Sequence, residues 1–345
     1  MKTRRSLVLG ATLLGSATAF ATAVAPLQVS LSLPQAVVQG EGAVWVEVQV
    51  HNPGPRAVKV LRWQLPEGEL QGPLFDVLDA QGRAADYTGP LVKRPAPRAD
   101  DFVRIAPGQT LSYRVDLGAR YALGDGQYQV RYRGLSADAR VGELRSDAAV
   151  PLWTSGRAAL PQALAPQGID PAVGPIVYTG ACTASEQTDL ATAAAEASTY
   201  ATKAKRYLKA MTGGTARYTT WFGAHDASRW GTVKTHFGKI DSAFKRQTLT
   251  LDCSCSDNGV YAYVYPNAPY KIYLCGAFWA APMKGTDSKA GTLIHEMSHF
   301  TVVAGTKDHA YGQAAAKALA LSDPAKAIAN ADSHEYFAEN TPAQP

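Results

Sequence analysis

The stretch His295-Glu296-Met297-Ser298-His299 decides how the second half of this 345-residue chain must fold. Side chains at i and i+4 stack on one face of a helix, so a helix here brings both imidazoles to one ion. Glu296 stands one position on and cannot share that ligand direction. It can stand beside the ion and take a proton from bound water. Zinc lowers the pKa of such a water towards ~7. Leu293, Ile294, Met297 and Phe300 make the surrounding helix apolar, as a buried helix requires. The bland alternative is a helix with two ordinary histidines and a surface glutamate. It is the weaker reading in a chain with only seven histidines.

A catalytic zinc needs a third protein ligand. A third histidine at the metzincin spacing is absent, because Val302 and Gly305 stand where glycine and histidine are needed. The downstream candidates are Asp308, His309, His334 and Glu335. Asp308 follows the Gly305 turn closely enough to fold back onto the helix. Tyr311, three residues later, lies near Asp308 if a helix starts there, and its hydroxyl can donate to a developing oxyanion.

Outward from the motif, residues 177–345 read as α+β and mostly helical. Helical patterns run from Ser185, a candidate N-cap, to Ala210, with a stripe of Leu190, Ala194, Ala197, Ala201 and Leu208. Others span 227–246, from a Thr286 or Asp287 cap to about Val303, 310–321 and 332–339. Residues 249–251, 261–265 and 271–274 read as strands. Residues 24–150 follow a different pattern. Val44-Trp45-Val46-Glu47-Val48-Gln49-Val50 and Tyr128-Gln129-Val130-Arg131-Tyr132 alternate with period two, between turns such as Asn52-Pro53-Gly54-Pro55. Short strands so spaced suggest an immunoglobulin-like β-sandwich. Residues 151–176, with five prolines, read as a linker open to proteolysis.

The length suits two domains at ~100–200 residues each. Apolar residues are 46% and charged residues 18%, enough for a core and against wholesale disorder. A net charge of +5 without any run of five like charges gives no case for nucleic acid. Residues 1–23 have a basic start, an apolar run and a small-x-small end, Ala21-Thr22-Ala23, the layout of a secretory signal. The protein is then expected to be extracellular, with no membrane attachment once the signal is removed. Export permits disulfides, so the four cysteines read as two bridges. Cys253 and Cys255 are too close to prefer each other, so each reaches one of Cys182 and Cys275.

His295–His299 followed by Gly305-Thr306-Lys307-Asp308-His309-Ala310-Tyr311-Gly312 resembles the aspzincin signature of the deuterolysin-like zinc endopeptidases. Ala216–Gly223, Tyr261–Asn267, Leu274–Trp279 and Asn330–Phe337 resemble segments of the peptidyl-Lys metalloendopeptidase branch. The resemblance covers roughly 178–345. It implies His295, His299 and Asp308 as ligands of one zinc per chain, Glu296 as general base and Tyr311 as transition-state donor. It also implies bridges Cys182–Cys253 and Cys255–Cys275.

That branch cuts on the amino side of lysine, and its two pocket carboxylates fall on Asp332 and Glu335. At i and i+3 of a helix these can face one cavity. The first half is then expected to be a propeptide that inhibits the enzyme intramolecularly. Lys93, in a probable loop between Gly89-Pro90 and Pro95-Ala96-Pro97, is the candidate plug for the acidic pocket. The expected partners are protein and peptide substrates, and the expected state is a monomer. Two other readings compete: a broad-specificity deuterolysin-like protease, and a secreted β-sandwich binding module or adhesin with structural zinc.

Overall fold

The computed structural model describes residues 27–134, 144–157 and 173–345. The signal-like segment 1–23 and residues 158–172 of the expected linker lie outside the described residues. Ten strands precede residue 157 among the described residues: β1 (Gln28–Ser32), β2 (Val37–Gln39), β3 (Trp45–His51), β4 (Val58–Leu61), β5 (Phe75–Asp79), β6 (Leu91–Lys93), β7 (Phe102–Ile105), β8 (Thr110–Asp116), β9 (Gly126–Tyr132) and β10 (Val150–Ser155). After residue 173 come β11 (Ile176–Thr179), α1 (Ala184–Ala210), α2 (Ala216–Phe222), α3 (Ala227–Arg246), β12 (Leu249–Asp252), β13 (Ala262–Val264), β14 (Lys271–Leu274), α4 (Gly276–Ala280), α5 (Lys289–His299), α6 (Gln313–Ser322), α7 (Pro324–Ala327) and α8 (Ala331–Glu339).

The first half is β-rich and the second mixes helices with a sheet. In the first, β3 pairs antiparallel with β1 and β8, and a second sheet has the order β2-β10-β9-β5. The period-two pattern has the expected consequence: Val46, Val48 and Val50 are buried while Glu47 and Gln49 face out. These valines share one core with Val29, Val77, Val130 and Leu152. Strand β10 occupies the start of the stretch read as linker, because Leu152 and Thr154 alternate inward and complete that sheet.

The second half has its own core, built entirely from residues after 173. Along α1 the stripe Leu190, Ala194, Ala197, Ala201 and Leu208 is buried, as its spacing predicts. The cap is Thr183 rather than Ser185. Thr183 and Glu186 form a reciprocal capping box, which a lone serine cannot match. Disulfides join Cys182 to Cys253 and Cys255 to Cys275.

The halves meet through a shared sheet of order β11-β12-β14-β13-β6. Strands β11, β12 and β14 run parallel, and β13 is antiparallel. Without a neighbour, β13 would leave a row of edge N–H and C=O groups unpaired. Strand β6, from the first half, covers it antiparallel, with Ala262 opposite Lys93, Tyr263 opposite Val92 and Val264 opposite Leu91. The segment around Lys93 is therefore a paired strand rather than a loop. Among the described residues no helix is long and apolar enough to cross a membrane.

Candidate active site

Helix α5 carries the motif and is buried along its whole length. It starts at Ser288, whose hydroxyl accepts from the Gly291 N–H at 2.9 Å. Thr286 and Asp287 are not its cap, and it stops at His299 rather than near Val303. Beyond it the N–H groups of Val303, Ala304 and Gly305 all turn back to the Phe300 carbonyl. Gly305 has φ 62°, a left-handed conformation that glycine adopts without strain. The reversed chain is then clamped: Lys307 accepts from the Ala331 N–H at 3.0 Å and donates to the Ala329 carbonyl at 2.8 Å. The Asn330 side chain accepts from the N–H groups of His309 and Ala310 at 2.9 and 3.1 Å.

This clamp returns Asp308 to the helix. Its Oδ1 lies 3.0 Å from Nε2 of His295 and 3.3 Å from Nε2 of His299. Both Nε2 atoms and both Asp308 oxygens are buried and make no hydrogen bond of acceptable geometry. Buried polar atoms are rarely left so. Three converging donors of the N, N, O type, orphaned together, suit a divalent metal such as zinc. The rear of each ring supports this. His299 donates from Nδ1 to the Thr306 carbonyl at 3.0 Å, which leaves the Nε2 lone pair facing the site. Nδ1 of His295 lies 2.8 Å from Oδ1 of Asp332 and 3.4 Å from Oε2 of Glu335.

Glu296 is fully buried beside this cluster, and neither carboxylate oxygen has a hydrogen-bond partner. Burial is the main cause that pushes its carboxyl up to about 8, with His295 opposing and Asp308 adding. Tyr311 is not on a helix, since α6 starts two residues later. Its hydroxyl donates to the Val92 carbonyl at 2.8 Å. Burial raises its pKa well above the ordinary value, so the phenol keeps its proton. The other expected candidates separate clearly. His334 stacks on Phe237 and meets His236 and the Asn330 carbonyl, and neither it nor His309 joins a metal-capable group.

Asp332 and Glu335 lie on α8, both buried, and Lys93 reaches them from β6. The ammonium is 2.6 Å from Oε2 of Glu335, 3.9 Å from Oδ1 of Asp332 and 3.7 Å from Oδ1 of Asp287. Tyr261 adds its ring face at 4.9 Å. Burial disfavours the ammonium, but the three carboxylates outweigh it and raise the Lys93 pKa. Burial likewise opposes ionisation of Asp332, yet Lys93 and His295 hold its pKa below the ordinary value. The Gly312 N–H fixes the other Asp332 oxygen at 2.6 Å.

Three contributors are not evident from the sequence. Asp287 reads there as a helix cap, but its carboxylate accepts from the Tyr336 hydroxyl at 2.6 Å and faces Lys93. Ser288 caps the helix in its place, which leaves the Asp287 carboxylate for this role. Asn330 appears as a clamp, and Trp63 packs edge-on against Tyr311 at 5.9 Å.

Comparisons with known proteins give the family of the chain. The family of lysine-specific metallo-endopeptidases, the aspzincins, matches residues 207–339. An extracellular protease of Aeromonas hydrophila is 43% identical over 314 residues, covering 87% of this chain and 89% of that protein. A peptidyl-Lys metalloendopeptidase of Grifola frondosa is 40% identical over 334 residues, covering 92% of this chain and 94% of that protein. The solved structure of a zinc peptidase from Grifola frondosa is 53% identical, covers 48% of this chain and all of that one, and has a TM-score of 0.45. The two relatives of 43% and 40% identity, aligned over most of both chains, make this an enzyme rather than a binding module. The chain belongs to the aspzincin family of zinc metalloendopeptidases.

Proposed function

We propose that the chain is the latent precursor of a secreted endopeptidase that cuts on the amino side of lysine. Residues 24–150, an immunoglobulin-like sandwich in this reading, are its cover, and cleavage within 151–176 frees the enzyme. One observation carries the proposal. A buried lysine from the first half has its ammonium among three carboxylates, and the carbonyl just before it is held by Tyr311. Lys93 thus occupies the place of a substrate lysine, and the Val92 carbonyl that of the bond to be cut. Relatives named peptidyl-Lys metalloendopeptidases and an extracellular protease support the lysine preference and the secretion.

Nε2 of His295, Nε2 of His299 and Asp308 would hold zinc, which when bound supplies a Lewis acid and an acidified water. Asp332 and the Thr306 carbonyl orient the two imidazoles from behind. Glu296 is the general base: it accepts the proton of the attacking water and delivers it to the departing amine of the lysine. Tyr311 donates its hydroxyl to the carbonyl oxygen as that oxygen gains charge. Asp332, Glu335 and Asp287 hold the lysine ammonium and so set which bond lies over the base.

The test maps cleavage sites on a denatured protein with the processed, zinc-loaded enzyme. New amino termini are expected to be lysines, and chelator is expected to stop cutting. The Glu296→Gln variant should keep its zinc and lose turnover by ~10³-fold or more, within the ~10²–10⁴-fold that a general base contributes. Termini scattered over many residue types would overturn the lysine reading.

A further inference from the structure

The segment that fills the lysine pocket also fills a second one. Lys93 and Val92 are neighbours on a strand, so their side chains leave it on opposite faces. While Lys93 enters the carboxylate pocket, Val92 is 5% exposed in a small apolar cluster with Val260 and Cys275. Cys255 and Tyr263 are packed against that cluster. It is separate from both domain cores, and every member except Val92 belongs to the catalytic half.

The walls of this cluster are fixed. Tyr263 is the register partner of Val92 and stacks flat on Tyr273 with centroids 4.5 Å apart. Cys275 is tied to Cys255 by the disulfide, and its N–H is held by the Tyr261 carbonyl at 2.9 Å. Val260 is hydrogen-bonded within the turn that leads into β13. A wall tied by a disulfide, a ring stack and backbone hydrogen bonds is poorly placed to move aside for a charged side chain, and burying a charge against apolar groups is costly.

We propose that Val260, Tyr263 and the Cys255–Cys275 disulfide form an apolar subsite that selects the residue immediately before the lysine. Resting on the reading of Lys93 as a substrate mimic, the subsite takes valine, isoleucine or a similarly sized aliphatic side chain. It rejects aspartate and glutamate, which would be buried there unpaired. The disulfide then has a role beyond stability, as part of the surface that reads sequence.

The experiment uses the processed zinc-loaded enzyme and short capped peptides Gly-Xaa-Lys-Gly, with Xaa as Val, Ile, Gly, Asp or Lys. A parallel set carries leucine in place of the lysine. Lysine-dependent cutting with Val and Ile at least ~10-fold above Asp in kcat/KM supports the subsite, a ratio within what one side-chain pocket achieves. The Val260→Asp variant should then turn the preference towards Xaa as Lys. Lysine-dependent cutting that is flat across Xaa overturns the subsite and leaves the lysine reading standing. Cutting that is indifferent to replacing lysine by leucine overturns the lysine reading itself, and the subsite with it. The wild-type series decides the question even if the variant does not fold.

Discussion

Replacing Lys93 by methionine keeps most of the stem and removes the charge. In the wild type the ammonium is fully buried, 2.6 Å from a fully buried Glu335, with buried Asp332 at 3.9 Å and half-exposed Asp287 at 3.7 Å. With methionine in place, two carboxylates remain under the cover with no cation. Removing one partner of a buried pair costs ~3–5 kcal/mol, chiefly because the other charge stays desolvated. That penalty exists only while the cover is seated, since opening returns water to Asp332 and Glu335. In the proposed precursor the whole of it acts on the seated–open equilibrium, which should shift by roughly 10²- to 4 × 10³-fold towards open at ~1.4 kcal/mol per decade. Lys93 belongs to neither domain core, so both halves should still fold. The assay follows hydrolysis of a lysine-containing peptide by intact, zinc-loaded precursor, with intactness checked by mass. Lys93→Met should raise the activity of uncut chain by ~100-fold or more. Lys93→Arg should lie between, since guanidinium restores the charge but not the shape. A methionine variant as silent as the wild type would refute the reasoning and place the latch in the β6–β13 pairing alone.

Two further outcomes can be measured. Asp332 touches both His295 and the lysine site, whereas Asp287 touches only the latter. Asp332→Asn should therefore weaken zinc binding by ~10–100-fold, as loss of an outer partner of a metal ligand does, and weaken cleavage before lysine. Asp287→Asn should leave zinc affinity unchanged in chelator competition and lower only kcat/KM for lysine peptides. The second outcome concerns acid. Burial of Asp252 opposes its charge, but bonds from Ser254, Thr179 and Lys271 prevail and lower its pKa from 3.8 to about 2. A depressed folded pKa gives stability that is complete above about pH 4 and is lost as pH falls through about 2. Melting temperature against pH should fall more gently in that window for Asp252→Asn, and an identical decline in variant and wild type would exclude this source.

What was legible in the sequence lay within single elements or at short range. His295, Glu296 and His299 are placed by one helix, so the i, i+4 rule sufficed. The Gly305 turn made Asp308 one of four downstream candidates, but the Lys307 and Asn330 clamp that returns it to the helix is not a local pattern. Asp332 and Glu335 share a helix face for the same reason. The hydrophobic stripe of α1 and the alternation of β3 were readable because period alone fixes which side is buried. Lys93 could be singled out as a basic residue, but its setting could not. It reaches Glu335 across 242 positions of sequence, on a strand whose partner lies in the other domain. No local pattern in Leu91-Val92-Lys93 says that β13 is the edge it joins. Asp287 was missed for a related reason. Its backbone is left-handed at φ 52°, and its carboxylate is aimed by Tyr336, which is 49 positions away.

In the proposed precursor, the same distribution of contacts would let a cover hold firmly and still leave an intact enzyme behind. The catalytic half keeps its own core, and both disulfides close within it. Nothing in that core is borrowed from the first half. Crossing into the site are the three pairs of β6 on β13, the Val92 carbonyl on the Tyr311 hydroxyl, Val92 in its apolar pocket, Lys93 among the carboxylates and Trp63 against Tyr311. Each of these is a contact that a substrate would make or displace, apart from Trp63. Loss of the cover therefore exposes an edge strand, an acidic pocket and a phenol hydroxyl, all of them polar groups that water can satisfy. It also exposes the small apolar patch around Val260. In the proposed precursor, a latch made from substrate-like contacts would uncover a site already arranged to bind the next lysine.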